Sequence, residues 1–167
     1  MGDGRLHARA LPPSLQPPDY ATMRPYPPAS GGAVDILLVD DNPLMQQVIG
    51  RYLTDLGHCV AIAGRAEEAL ALAGQTPPSL LIVDYFLPDM DGPEALRALR
   101  SLPGCGAVPA IALSGMDEQE ARETLTDEFD AILLKPVELN DLAAAVRRCA
   151  GRPQPRSAGY GRGDDSG

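Results

Sequence analysis

Positive charge is scarce in this 167-residue sequence: 14 Lys and Arg face 23 Asp and Glu, for a net charge of -9. The deficit is concentrated, since residues 34–150 hold 19 acidic and 8 basic side chains while both flanks are slightly positive. A phosphate backbone needs a basic patch, so this balance speaks against direct nucleic-acid binding by the core. Cysteine is sparse too. Cys59, Cys105 and Cys149 lie more than forty residues apart, match no zinc or redox spacing and leave an odd thiol, which suits a reducing cytosol. Apolar runs break off well short of the roughly 18 residues a membrane span requires. The beginning "MGDGRLHARALPPSLQPP" lacks the apolar stretch of a signal peptide. From these absences the chain is expected to be soluble, unexported and cytoplasmic, with no membrane segment. Dinucleotide fingerprints, nucleotide P-loops and internal repeats are also missing.

The length allows about one domain, and 44% hydrophobic residues are enough for a buried core. Residues 1–33 contain seven of the 17 prolines without a helical or strand period, the pattern of a flexible or polyproline-like arm or linker. Residues 151–167 lack large aliphatics and read as a disordered tail. The folded unit is expected over 34–150.

Within it, short apolar runs alternate with helical patterns. The strand candidates are "DILLV" (35–39), "CVAIA" (59–63), "LLIV" (80–83), "PAIAL" (109–113) and "AILL" (131–134). Between the first two, Asn42 can cap a helix and Pro43 can open it, with Leu44, Val48, Ile49, Leu53 and Leu56 as the predicted apolar face ending at Gly57. Ala66, Ala69, Leu70 and Ala73 mark a second helix. Pro93 opens a third with Leu96, Leu99 and Leu102, a short acidic helix is expected over 117–126, and Leu139, Leu142, Val146 and Cys149 mark the last. Strands alternating with helices imply an α/β fold with a five-stranded parallel sheet covered on both faces.

Right-handed crossovers place all strand C-termini on one edge, where ligands bind in such sheets. Asp40 and Asp41 follow the first strand, Asp84 the third, Ser114 the fourth and Lys135 the fifth. Taken alone, Asp84 in "SLLIVDYFLPDMDGPEAL" reads as the start of a turn. Its companions at the same edge turn it into a site. Lys135 adds weight because it is the only lysine against 13 arginines. Three clustered acids repel one another, and a hard divalent cation such as Mg²⁺ relieves this. A metal and a lysine then neutralise a transferring phosphoryl group and leave a carboxylate free as nucleophile.

The segments "ILLVDDN" (36–42), "LLIVDYFLPDMDG" (80–92), "AIALSG" (110–115) and "LLKP" (133–136) together resemble the receiver domain of two-component response regulators. The resemblance implies a flavodoxin-like strand order 2-1-3-4-5. It implies Asp84 as phosphoacceptor, and Asp40, Asp41, Asp84 and the backbone carbonyl of Phe86 as the Mg²⁺ shell. Ser114 would be the switch hydroxyl, and Lys135 the phosphoryl-pairing cation in a cis Lys135-Pro136 bond. The implied partners are a histidine kinase or phosphotransfer domain as donor and a protein target of the phosphorylated surface. Enzymatic activity would be limited to weak self-phosphorylation and self-dephosphorylation.

Two positions depart from the family pattern. Ile132 stands where an aromatic usually turns inward on activation, with Phe129 and Tyr85 the nearest rings in sequence. Glu128 stands where a glycine often joins the fourth helix to the fifth strand, so that connection is expected to differ in shape. Phe86 and Met116, two residues beyond the acceptor and the switch hydroxyl, border the path of hydrolytic water in this family. His58 reads as a solvated loop residue, and Arg147 and Arg148 as a helix C-terminal charge pair. The alternatives are the receiver segment of a hybrid histidine kinase, a Mg²⁺-dependent aspartyl-nucleophile phosphohydrolase, and an unphosphorylated interaction domain.

Overall fold

The computed structural model describes residues 33–125 and 127–151. Apart from residues 33 and 151, the expected arm (1–33) and tail (151–167) lie outside them. In chain order the elements are β1 (Asp35–Val39), α1 (Pro43–Asp55), β2 (Cys59–Ala63), α2 (Ala66–Gln75), β3 (Leu80–Asp84), α3 (Gly92–Arg100), β4 (Ala110–Ser114), α4 (Glu118–Leu125), β5 (Ala131–Leu134) and α5 (Leu139–Ala150). All strand pairs are parallel, in the order β2-β1-β3-β4-β5. Order and class are as expected. Two strand boundaries differ: β3 runs on to include Asp84, and β4 is shifted by one residue to end on Ser114, so both polar residues still belong to the sheet.

Because side chains alternate across a strand, the sheet sorts its apolar residues into two cores. Ile36, Leu38, Leu80, Ile82, Ile111 and Leu113 pack with α1 and α5. Leu37, Val39, Leu81, Val83, Ala110 and Ala112 pack with α2, α3 and α4. Burial on both faces is why β3 and β4 read as unbroken apolar runs.

Local signals account for most helix boundaries. Asn42 Oδ1 accepts from the amides of Leu44 (2.9 Å) and Met45 (3.4 Å), and Pro43 follows in the first turn. Asp91 caps α3 by accepting from Glu94 N at 2.8 Å. Helix α3 starts at Gly92, one residue before the proline, and the glycine is needed: a Cβ there would lie 3.0 Å from both the Asp84 carbonyl oxygen and Tyr85 Cα. Arg147 and Arg148 do occupy the last turn of α5.

The predicted face of α1 holds at Ile49 and Leu53 and is corrected at Leu44, Val48 and Leu56. Ile49, Gly50 and Leu53 are buried, whereas Leu44 (65% exposed), Val48 and Leu56 face outward. A Cβ on Gly50 would sit 3.0 Å from Ile62 Cδ1, so the helix leans on β2 at its glycine and turns Leu44 and Val48 to the far side. His58 is also corrected. It is half-buried, and its Nδ1 accepts from Val34 N at 3.2 Å, bracing the start of β1.

After α4, the amides of Glu128 and Phe129 both donate to Leu125 O, and no described non-glycine residue has a positive φ. The Glu128 carbonyl accepts from Arg100 Nη1 at 2.9 Å, and Arg100 Nη2 also reaches Val108 O (3.2 Å) and Asp130 Oδ2 (3.5 Å). One arginine at the end of α3 thereby holds the entrance to β4 and the entrance to β5 together.

Candidate functional site

Main-chain bonds continue beyond the strand ends and fix the site residues. The Asp40 amide donates to Ala63 O (3.0 Å), Tyr85 N to Leu113 O (2.9 Å) and Lys135 N to Ser114 O (2.7 Å). Asp40 and Ser114 are fully buried and Asp84 is 4% exposed, while Asp41 is exposed and Lys135 lies between. All five side-chain positions singled out in the sequence therefore sit on one edge of the sheet.

Carboxylate oxygens of Asp40, Asp41 and Asp84 lie within 4.8 Å of one another. Lys135 Nζ donates to Asp84 Oδ2 at 2.9 Å and lies 3.6 Å from Asp40 Oδ2. The second Asp84 oxygen, Oδ1, accepts from Phe86 N at 3.4 Å. Asp40 Oδ1 accepts from Asn42 N at 2.9 Å, but its buried Oδ2 accepts no hydrogen bond. Ser114 Oγ accepts from Met116 N at 3.1 Å.

The electrostatics follow from this crowding. Burial raises the Asp40 carboxyl above the usual carboxylate range; the Asn42 amide and Lys135 pull it down, and the charges of Asp84 and Asp41 push it further up. Burial works against the Lys135 ammonium, yet the hydrogen bond and charge of Asp84 with the charge of Asp40 outweigh it, and its pKa lies above the usual lysine value. The lysine is thus a fixed positive charge at neutral pH.

The donor set suits a hard divalent cation. It offers oxygen atoms only, three like charges in mutual repulsion, and one buried carboxylate oxygen without a hydrogen-bond donor. Lys135 alone cannot serve all three acids.

The sequence profile of the response regulator receiver domain matches residues 36–147. The chain belongs to this family.

Receiver domains of two-component response regulators are phosphoacceptors that interact with histidine kinases or phosphotransfer partners, and are not enzymes in the ordinary sense. Among solved structures, the receiver domain of the sensor histidine kinase PA1611 from Pseudomonas aeruginosa PAO1 matches with a TM-score of 0.66 and 31% identity, covering 72% of this chain and all of that one. That domain has a magnesium ion coordinated in its active-site cleft. The uncharacterized 14.6 kDa protein in the sodA1 3' region of Leptolyngbya boryana is 38% identical over 116 residues, 69% of this chain and 88% of that protein. The transcriptional regulatory protein TrcR of Mycobacterium tuberculosis is 34% identical over 120 residues, 71% of this chain but 46% of TrcR. This receiver domain thus spans about half the length of such regulators.

Two side chains that tie the segments bearing this cluster were not singled out from sequence. Gln46 on α1 donates from Nε2 to the Asp40 carbonyl, and Asp89 reaches the start of α2 from the loop after β3. Spacing of a polar residue six positions after Asp40, on a helix face otherwise read as apolar or solvated, was the only signal for Gln46. Phe86 is 64% exposed with its ring edge-on to Tyr85 (centroids 4.7 Å apart), and Met116 is half-buried. Ile132 is half-buried, and Phe129, not Ile132, fills the core beside α4.

Proposed function

We propose that Asp84 is the phosphoacceptor of this receiver domain, with Asp40, Asp41, Asp84 and the Phe86 carbonyl holding Mg²⁺. The observation that carries this reading is the state of Asp84: a nearly buried carboxylate at a strand end, paired with the chain's single lysine at 2.9 Å and crowded by two further acids. When bound, the cation neutralises negative charge on the phosphoryl oxygens.

An Asp84 oxygen attacks the phosphorus of a donor phosphohistidine. The O–P bond forms as the P–N bond breaks, and the departing imidazole keeps the electron pair. Lys135 swings from Asp84 Oδ2 to a phosphoryl oxygen, exchanging one charge-assisted bond for another. Ser114 Oγ turns from Met116 N toward a second phosphoryl oxygen and draws the chain after β4 with it. That movement changes the surface near β5, which the protein target reads. Self-phosphorylation from small donors and self-dephosphorylation are weak side activities of the same carboxylate. Residues 34–150 form the receiver unit in this reading, with 1–33 as linker and 151–167 as tail, and the setting is cytoplasmic.

The likeness to the PA1611 receiver domain supports a second placement, as the receiver segment of a longer kinase. An aspartyl-nucleophile phosphohydrolase is a poorer fit, because such enzymes place the nucleophile after the first strand with a second acid two residues on, where this chain has Asp40 and Asn42. Incubation with acetyl phosphate and Mg²⁺, followed by mass spectrometry, tests the assignment. Wild type should gain one phosphoryl group on Asp84, and none in EDTA. Full labelling of Asp84→Asn at another residue would sink it.

A further inference from the structure

Helix α2 lacks a cap of its own. Arg65 occupies its N-cap position and makes no side-chain cap bond. The cap comes instead from Asp89, more than twenty residues along the chain, whose Oδ1 accepts from Ala66 N at 3.0 Å and whose Oδ2 accepts from Glu67 N at 2.9 Å. Asp89 lies in the loop between β3 and α3, the same loop that carries Phe86. The neck of that loop is closed by the Phe86–Asp91 bridge and by Gly92 N donating to Tyr85 O at 2.7 Å. Its outer part is moored by the Asp89 carboxylate.

The mooring point is not arbitrary. Helix α2 begins three residues after Ala63, whose carbonyl accepts the Asp40 amide. A Cβ on the intervening Gly64 would lie 3.5 Å from Gln46 Nε2, the group that bonds the Asp40 carbonyl. One carboxylate therefore ties the loop after the acceptor to the segment from which the buried Asp40 hangs. A serine or aspartate at position 65 would cap the helix equally well and leave the loop unattached.

We infer that Asp89 is a positioning residue for the metal and phosphoryl site, clamping the β3–α3 loop and the Phe86 backbone to the N-terminus of α2. The inference rests on the proposed role of the Phe86 carbonyl toward Mg²⁺. Both bonds join a carboxylate to helix N-terminal amides, an orientation favoured by charge and by the helix dipole. Slight burial opposes ionisation of Asp89, but the Ala66 and Glu67 amides and the Arg65 charge outweigh it and hold the group below the usual carboxylate range. The clamp is consequently closed at neutral pH.

Three variants separate positioning from capping: Asp89→Ala, Arg65→Ser, and the two combined, in which a local serine cap replaces the remote one. Each is followed by thermal melting in EDTA, by Mg²⁺ titration of backbone amide NMR shifts, and by hydrogen exchange of the Gly92 amide without metal. Asp89→Ala should lose melting temperature and bind Mg²⁺ several-fold more weakly, less than the roughly 10-fold that loss of a group bonded directly to a metal ligand costs. In the combined variant the melting temperature should return while the weakened Mg²⁺ binding and faster Gly92 exchange persist. Wild-type Mg²⁺ affinity in the combined variant would overturn the inference and leave Asp89 a plain cap. Acetyl phosphate labelling of wild type is the control: no Mg²⁺ binding and no modification of Asp84 would overturn the proposed function together with this inference, whereas normal labelling with unchanged variants overturns the inference alone.

Discussion

Replacing Asp40 by asparagine should make the metal-free protein more stable and the Mg²⁺-loaded protein less so. The substitution is nearly isosteric, and its carbonyl oxygen keeps the bond from Asn42 N. What it removes is a fully buried charge whose Oδ2 accepts no hydrogen bond. At an effective dielectric near 20, attraction to Lys135 across 3.6 Å is worth ~5 kcal/mol. Repulsion from Asp84 and Asp41, each within 4.8 Å, amounts to at least ~3.5 kcal/mol apiece on the same scale. Exposure of Asp41 and partial exposure of Lys135 screen two of the three terms, and desolvation of Asp40 adds to the repulsive side. The balance favours the neutral side chain by about 1–2 kcal/mol, which corresponds to a melting temperature about 4–8 °C higher in EDTA.

Linkage gives the same sign. Because the folded Asp40 pKa is raised, its contribution to stability is present below the unfolded carboxylate value and is lost as pH rises through the folded one. Asparagine abolishes that loss. In Mg²⁺ at a hundred times the dissociation constant, wild type gains about 2.7 kcal/mol by mass action and the variant gains little, so the order of melting temperatures inverts. Differential scanning fluorimetry in EDTA and in a Mg²⁺ series reads both effects. An Asp40→Asn protein that melts below wild type in EDTA would refute the reasoning, because the Lys135 attraction would then outweigh both repulsions and burial.

Phe86→Asn and Met116→Glu together should shorten the lifetime of phosphorylated protein in excess Mg²⁺ by on the order of 10-fold, since polar groups there can orient a water that two apolar side chains cannot; equal decay in wild type and double variant would show that these positions do not govern water access. Ser114→Ala should weaken phosphorylation-dependent amide shifts around β5 more than Ile132→Tyr does, and the opposite ranking would assign the switch to position 132. Burial lowers the pKa of His58 below the usual imidazole value, and its Nδ1 must be unprotonated to accept from Val34 N. Stability should therefore be complete above a pH of about 6.5 and decline as pH falls from there through the folded value; urea midpoints between pH 7 and 5 should be flatter in His58→Asn, and parallel slopes would exclude the histidine.

Strands and site were legible because both leave marks in short stretches of sequence. A doubly covered parallel strand is apolar throughout, so a charge at its end, as at Asp84, stands out, and the four site-bearing strand ends share one edge by topology. The buried face of α1 was legible only in part, in Ile49 and Leu53. Periodicity yields a stripe containing Leu44 and Val48, but where the helix touches the sheet is decided by Gly50, whose lack of a side chain no hydrophobic pattern registers. Asp89 and His58 escaped for a different reason. Their partners, the amides of Ala66, Glu67 and Val34, lie more than twenty residues away, so nothing in the local sequence announces a bond. Turn chemistry alone explains an aspartate in "PDMDG", and only the fold brings it to a helix lacking its own cap.

The sheet is packed most densely at its middle. Every residue of β3 and β4 is buried, none of β5 is, and α4 buries only Ala121 and Leu125 of its eight residues. Beyond Ser114 the chain therefore passes from a clamped beam to a loosely loaded one. The chain leaving Ser114 enters the thinly packed α4 and then an edge strand, β5, that has no fully buried residue. Burial is complete in the central strands β3 and β4 and thin at both edges, β2 and β5, so the sheet is firm in its middle and open to adjustment at its rims.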